Sequence, residues 1–345
     1  MRGSFACLMK KISIAGGGLA GLSLGIALRE RGAPVEISEA GQYPRHRVCG
    51  EFISGVSQET LSSLCIDDLF TDALQHHTLK WFDAGNAIHQ NTLPTPAIGI
   101  SRYALDDRLQ QRFTKLGGTL NTHSRLQPQP QEGLVWAAGR RPQRGQWIGL
   151  KAHVRGLSMS SDLEMHSGHN GYAGLAKVEG GWINVCGLFR IDRHLKGNPQ
   201  QLLPTYLKAG GNERLAGQLE RTDWREESFC AVAGFKLGAQ PPLHGLVSIG
   251  DAESMIPPFT GNGMSMAFQA AETAIEPLVA WANNELAWHA AANRIRHALR
   301  RRFRRRLIAS QAIHPILFQK YGRDLIRAFS DIQLLPFQPM LSLVR

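Results

Sequence analysis

Residues 11–39 read KISIAGGGLAGLSLGIALRERGAPVEISE, and this stretch decides the fold. Lys11 to Ala15 is a short β-branched run of the kind buried in a parallel strand. The glycine-rich turn Gly16-Gly17-Gly18-Leu19-Ala20-Gly21 follows at once. Leu, Ile and Ala then recur at helical spacing as far as Arg31, and Gly32 supplies the stop. Pro34 to Glu39 reads as a second strand that ends in an acid. Each glycine has a mechanical reason: Gly16 permits the tight turn, Gly18 lets the backbone approach a pyrophosphate, and Gly21 lets the helix pack closely on the strand. The helix start at Leu19 and Ala20 offers free N–H groups and partial positive charge to phosphates. Glu39 is placed to accept hydrogen bonds from adenosine ribose hydroxyls. The complete order of strand, turn, helix, strand and acid implies a dinucleotide, with NAD and FAD both open at this point.

Far along the chain, Leu246 to Asp251 is another buried strand, ending in Gly-Asp. It runs into IPPFTGNGM at 256–264 and then into a helix with small residues at Ala267, Ala270, Ala271 and Ala274. With the first motif, this resembles the FAD-dependent oxidoreductases of the aromatic hydroxylase (para-hydroxybenzoate hydroxylase-like) and geranylgeranyl reductase superfamily. The resemblance implies FAD, with Asp251 on the ribityl chain and Pro258, Gly261, Asn262, Gly263 and Met264 beside the flavin ring. The helix start there aims its positive end at the ring's pyrimidine edge. Two middle segments extend the likeness. In YPRHRVCGE at 43–51, Arg47 (or Arg45) would neutralise pyrophosphate charge. In ISRYALD at 100–106, Arg102 would lie close to the cofactor, and Leu134 to Arg140 resembles the strand and glycine turn, at Gly139, that close the dinucleotide fold. The match covers about residues 10 to 285.

The implied fold class is α/β: a Rossmann-like FAD-binding domain of glutathione-reductase type, interleaved with an antiparallel β-sheet substrate domain and followed by C-terminal helices. The expected division is 9–75, 98–146 and 238–285 for the FAD-binding domain, 76–97 and 147–237 for the sheet, and 286–345 for the helices. Trp147 to Val154 and Gly181 to Leu188 alternate in polarity, as strands with one side toward a pocket do. There is no internal repeat and no low-complexity linker.

The resemblance implies a monooxygenase that hydroxylates a bulky apolar or aromatic, polyketide-like small molecule. The alternative within the superfamily is a geranylgeranyl-reductase-like alkene reductase; from another class, the chain would be a flavin-bearing protein that docks an acidic carrier. Ala138-Gly139 stands where aromatic hydroxylases present the Asp-Gly pair linked to NAD(P)H reactivity, so direct, NADPH-selective reduction is not expected; the flavin would be reduced externally, by NAD(P)H directly or through a reductase. The seven Trp never fall two apart, which removes the W-x-W-x-I-P segment of flavin halogenases. Gly171 to Lys177 keeps only the Tyr of the reductases' Y-x-W-x-F-P. The candidate catalytic residues are Cys49 and Tyr172. Cys49 is either a small buried hydrophobe or a thiol near the flavin whose pKa Arg47 and His46 would lower. Tyr172 is a pocket aromatic or a proton donor. His166 and His169, with Asp162 and Glu164 upstream, have metal-like spacing; no thiol accompanies them, and they read as a surface turn with no metal.

A hydrophobic fraction of 43% with 19% charged residues excludes a wholly disordered chain. The net charge of +11 is local: residues 294–306 (RIRHALRRRFRRR) hold eight Arg and no acid, leaving +3 elsewhere. Ile295, Leu299, Phe303 and Leu307 recur every four residues, so this helix is expected to pack on the protein with its guanidiniums outward. An acidic carrier or an anionic membrane surface is its other suitor; no aromatic platform accompanies it for nucleic acid. Five cysteines without a C-x-x-C suit a reducing cytoplasm. No apolar run reaches the roughly 18–20 residues that cross a bilayer. Residues 1–8 read as a leader ahead of Met9 and not as a signal peptide.

Overall fold

Short β-branched runs bounded by glycine turns form two main sheets, with one further two-stranded pair. The computed structural model describes residues 9–234, 236–332, 334 and 337–343, so the leader read at 1–8 lies outside the described residues. The chain begins with β1 (Ile12–Ala15), α1 (Leu19–Glu30), β2 (Val35–Ser38), β3 (Phe52–Ile53) and α2 (Gln58–Ser63). It continues with β4 (Leu74–Asp83), β5 (Asn86–Gly99), α3 (Arg102–Lys115), β6 (Thr119–Asn121) and β7 (Leu134–Trp136). Next come β8 (Trp147–Arg155), β9 (Leu163–Ser167), β10 (Gly171–Val178), β11 (Trp182–Arg190), α4 (Pro199–Ala209) and α5 (Glu213–Leu219). Then follow β12 (Asp223–Ala233), β13 (Gly238–Ala239), β14 (Val247–Ser248) and β15 (Ser254–Met255). Four helices close the described chain: α6 (Gly263–Ala282), α7 (Trp288–Phe318), α8 (Lys320–Asp331) and α9 (Phe337–Leu343).

The first sheet is parallel throughout, in the order β14-β7-β1-β2-β6. α1 is buried from Leu19 to Leu28, packed between α3, α6 and the strands. Gly25 permits that closeness, since a Cβ there would lie 2.8 Å from Ile37 and 2.9 Å from Phe113. The second sheet runs β12-β8-β11-β10-β9-β4-β5-β3. It is antiparallel except where β4 joins β9. Its outer side packs Leu150, Val154, Leu175, Val185 and Phe189 on α4 and α5. Because antiparallel partners project to the same side, Cys186, Lys151 and Cys230 form one row across β11, β8 and β12 on the opposite, inner face.

Two expectations are corrected. His166 is not in a surface turn. It lies within β9, only 6% exposed, bonded to Glu164 at 2.9 Å and stacked on Phe82 at 4.5 Å; the period-two spacing puts Glu164 and His166 on one side of the strand. The arginine helix does bury Ile295, Leu299 and Phe303, but its guanidiniums are not all outward. Arg306 is buried and bonds Gln269 Oε1 at 2.9 Å, and Arg302 pairs with Glu272 at 2.6 Å. The reason is that α6, on which α7 packs, presents these acceptors. Burial and the neighbouring Arg302 lower the Arg306 pKa to about 10.

Candidate cofactor and substrate cleft

The glycine loop leaves β1 and enters α1 as the spacing requires. Gly16 has φ +102°, and a Cβ there would lie 2.4 Å from the Ala137 carbonyl. A Cβ at Gly21 would be 2.0 Å from the Gly16 carbonyl, whereas nothing lies within 4 Å of one at Gly18. Gly18 caps α1 without any side-chain hydrogen bond, so no cap side chain takes up the first N–H groups of the helix. The side chains of Leu19 and Ala20 belong to the core; only their backbone can serve a ligand.

Glu39, 5% exposed, braces this loop. Oε2 accepts from Gly17 N–H at 2.8 Å, while Oε1 accepts from Gly41 N–H at 2.9 Å and from Arg45 at 2.7 Å. A carboxylate oxygen has two lone pairs, so Oε2 can still take a ribose hydroxyl. Tyr43 donates to the Gly17 carbonyl at 2.5 Å.

Beside the loop stands a set of arginines with too few acids. Buried Asp106 accepts two hydrogen bonds from Arg102, both 2.8 Å, and one from Arg47 Nε at 2.9 Å. Arg47 Nη2 is buried without a hydrogen-bond partner. It stands 3.9 Å from Glu39 Oε2, the atom that holds Gly17. Burial lowers the Arg47 pKa; Asp106 opposes this, and Arg102 and Arg45 reinforce it.

The back-end motif meets the front one. Gly250, at φ +62°, passes so close to α1 that a Cβ would be 3.1 Å from Ala20. Asp251 is open to solvent on one side and walled by protein on the others. That desolvation raises its pKa, and Arg102, Arg140 and Arg47 pull it back. Pro258–Thr260 forms a single turn ending at Gly261, φ +67°. Asn262 is buried and starts α6, again without a side-chain cap, and nothing lies within 4 Å of a Cβ at Gly263. Gly139, φ +74°, likewise faces open space. Met264 turns its side chain into the core.

Of the candidate catalytic residues, Tyr172 is buried and Cys49 is half-buried. Burial pushes the Cys49 thiol up, and the Arg102 contact only partly offsets it; the sequence reading had Arg47 and His46 lowering it. Tyr172 is 6% exposed, and burial pushes its phenol well up. It packs with Trp81 and Leu188 at the apolar end of the inner face, against Phe259, Ile313, Leu317 and Ile326.

A cluster at the polar end escaped the sequence reading. Glu51 and Lys151 are fully buried and His153 is 1% exposed. His153 Nε2 bonds Glu51 Oε2 at 2.5 Å, and Lys151 Nζ lies 3.3 Å from Glu51 Oε1. Glu51 also accepts from the Arg102 N–H at 3.1 Å. Burial raises the Glu51 pKa, but His153 and Lys151 outweigh it and hold the carboxyl below its usual range. His46 stacks on Tyr103 at 4.6 Å. Burial, together with Lys151 and His153, drops its pKa to about 3, so it is neutral and Nδ1 accepts from Lys151 at 3.1 Å. His46, Glu51 and His153 bring their ligand atoms within 4.8 Å of one another, yet the Lys151 ammonium already occupies the place a cation would take. The available signal was Lys151 and His153, two apart in an otherwise apolar strand.

No family model and no curated protein matches the chain. Solved structures do. A geranylgeranyl bacteriochlorophyll reductase-like protein from Thermoplasma acidophilum superposes with a TM-score of 0.74 at 16% identity, covering 97% of this chain and 96% of that one. HpxO from Klebsiella pneumoniae, a variant complexed with FAD, gives 0.73 at 13%, covering 97% and 99%. PqsL from Pseudomonas aeruginosa, a probable FAD-dependent monooxygenase, gives 0.69 at 13%, covering 92% and 99%. The chain has the fold of FAD-dependent monooxygenases and reductases. Among the described residues no helix is long and apolar enough to cross a membrane.

Proposed function

We propose that this chain is an FAD-dependent oxidoreductase, most simply a monooxygenase that hydroxylates a bulky apolar or aromatic small molecule. One observation carries the reading: two motifs more than 200 residues apart in sequence are brought against one arginine-rich cleft. Gly250 of the second motif runs against Ala20 at the start of α1, while Arg47 reaches the residue that braces the glycine loop. The groups present fit the cofactor. Gly16, Gly18 and the N-terminus of α1 would hold the pyrophosphate with the unpartnered Nη2 of Arg47. Glu39 would take the ribose, Asp251 a ribityl hydroxyl, and Gly139, Pro258, Gly261, Asn262 and Gly263 would line the flavin.

When bound, FAD supplies the two-electron chemistry that the chain's own side chains lack. The chain's part is to bind, orient and exclude water. The N-terminus of α6 would set a positive end toward the flavin. Tyr172, Trp81, Leu188 and Phe259 offer an apolar seat for the substrate, opposite the charged cluster of Glu51, Lys151 and His153. Half-buried, and with its thiol pKa pushed up by desolvation, Cys49 would serve this site as a hydrogen-bond donor or packing group in preference to a thiolate nucleophile. Alkene reduction is the second reading, since a reductase-like protein shares the fold at the higher TM-score of 0.74. Electrons would arrive from NAD(P)H or from a separate reductase, and the substrate could be presented by an acidic carrier. The test is a spectrum of the purified protein followed by product mass analysis under air and under argon. A flavin spectrum with oxygen incorporated only under air supports hydroxylation. Equal product under argon moves the protein to alkene reduction, and a colourless protein that never takes up flavin sinks both.

A further inference from the structure

Helix α8 is built outside-in. Arg323 and Arg327 turn toward the protein and pair with buried Asp83, at 3.7 and 2.5 Å; Arg323 also bonds His169 at 2.6 Å. Outward, Tyr321, Leu325 and Phe329 are 86%, 54% and 39% exposed. At 100° per residue these three fall within about 80° of arc. A helix facing water buries its apolar stripe and points its charges out. Ile326 does turn inward, but the Asp83 latch fixes the rest of α8 the other way round.

α7, which packs on α8, continues the pattern. Arg301, Arg304, Arg305, Ile308, Ala312 and Ile316 recur at three- and four-residue spacing, so they share one side of the helix. All six are exposed, and Ile308 and Ile316 are 57% and 43% so. Guanidiniums thus give way along α7 to apolar side chains.

We propose that α7 and α8 form a face that docks on an anionic membrane surface. Tyr321, Leu325 and Phe329 would enter the boundary between headgroups and acyl chains, and Arg301, Arg304 and Arg305 would meet lipid phosphates. Charge selects this occupant: a second copy of the chain would set the same guanidiniums against one another. An acidic protein would answer the arginines alone, whereas a bilayer surface also takes up the apolar arc. The inward sides of these helices, at Ile313, Leu317 and Ile326, roof the apolar end of the cleft around Trp81 and Tyr172. Docking therefore sets that apolar cluster beside the bilayer. The proposal goes beyond the redox reading and stands apart from it, because vesicle binding needs neither FAD nor turnover.

The test sediments the full chain with vesicles of mixed phosphatidylglycerol and phosphatidylcholine, and with phosphatidylcholine alone. The protein is expected to pellet with the anionic vesicles, less so at high salt, and to stay largely in the supernatant with the neutral ones. Arg304→Glu with Arg305→Glu, and separately Leu325→Glu with Phe329→Glu, should each lower the bound fraction by a factor on the order of ten. All four side chains are exposed, so unchanged circular dichroism and melting would show that the variants fold. Wild-type protein remaining in the supernatant at low salt overturns the proposal. So do folded variants that pellet like the wild type, or a dimer in gel filtration that Leu325→Glu dissociates.

Discussion

Replacing Arg47 with Met separates the electrostatic part of the cleft from its folding role. In the wild type Arg47 Nε shares Asp106 with Arg102, while Nη2 is buried with no hydrogen-bond partner. Met keeps the buried stem and removes the charge. Asp106 retains both 2.8 Å hydrogen bonds from Arg102, so it is not left as an uncompensated buried charge. Removing Arg47 also relieves its repulsion with Arg102 and Arg45. The cofactor-free protein should therefore lose at most about 1 kcal/mol. The diphosphate, in contrast, loses a charge-assisted hydrogen bond worth about 1.5–3 kcal/mol, a roughly ten- to hundredfold rise in the Kd for FAD. Arg47→Lys should fall between, since it keeps the charge and loses the planar fork. The assay is flavin fluorescence titration of cofactor-free protein with FAD and with riboflavin, which has no phosphate. Riboflavin affinity should hardly change. Equal weakening of both flavins would refute the reasoning, because the side chain would then act on the ring or on the fold.

Four further outcomes follow from the same geometry. Glu51→Gln strands the Lys151 ammonium in the interior and should cost about 3–5 kcal/mol, read from the urea midpoint. Because the folded Glu51 pKa lies below 4.5, its contribution is present above that pH and is lost as pH falls through the folded value; the variant should show a shallower acid loss of stability than the wild type. Gly16→Ala forces a side chain into φ +102° against the Ala137 carbonyl and should destabilise the fold by about 1–3 kcal/mol, checked by the same titration. Cys49 should react with iodoacetamide more slowly than a free thiol at pH 7.5, since burial raises its pKa; peptide mapping that finds it alkylated first among the four described cysteines contradicts this. Ala138-Gly139 leads us to expect slow flavin bleaching by NADPH, with little preference over NADH, in stopped-flow mixing; rapid and NADPH-selective bleaching would point to an ordinary NADPH-dependent hydroxylase.

The parallel sheet and glycine loop were legible because their constraints are local. Gly16 takes a positive φ within the turn itself and Gly21 answers to the Gly16 carbonyl, and the β1 and β2 patterns follow from burial on both faces. Asp251 was legible through its Gly-Asp strand end. The Glu51 cluster was not, because its members come from two segments about 100 residues apart and meet only in the folded chain. Glu51 itself carries no periodic signal. The inward turn of Arg306 escaped for a related reason: helical periodicity located the apolar stripe, but the acceptor Gln269 belongs to another helix. His166 shows the opposite error, in which spacing that looked like a turn was part of a buried strand.

The charged groups of the cleft form a single alternating ladder. Glu39 holds Arg45 and lies 3.9 Å from Arg47; Arg47 and Arg102 share Asp106; the Arg102 N–H reaches Glu51; Glu51 holds Lys151 and His153. Alternation lets each buried charge offset the desolvation of its neighbours, which isolated pairs at the same depth would not manage. The ladder does not end neutral. Glu39, Asp106, Glu51 and Asp251 face Arg45, Arg47, Arg102, Arg140 and Lys151, and His46 is uncharged, so one positive charge is left over before His153 is counted. A protein without an anionic ligand gains nothing from that excess, since burial lowers the pKa of Arg47 and two neighbouring guanidiniums lower it further. A dinucleotide diphosphate beside Gly18 would relieve it. The same excess makes the cleft's stability depend on its ligand: filling it should raise the melting temperature more in the wild type than in Arg47→Met, because only the wild type has strain of this kind to release.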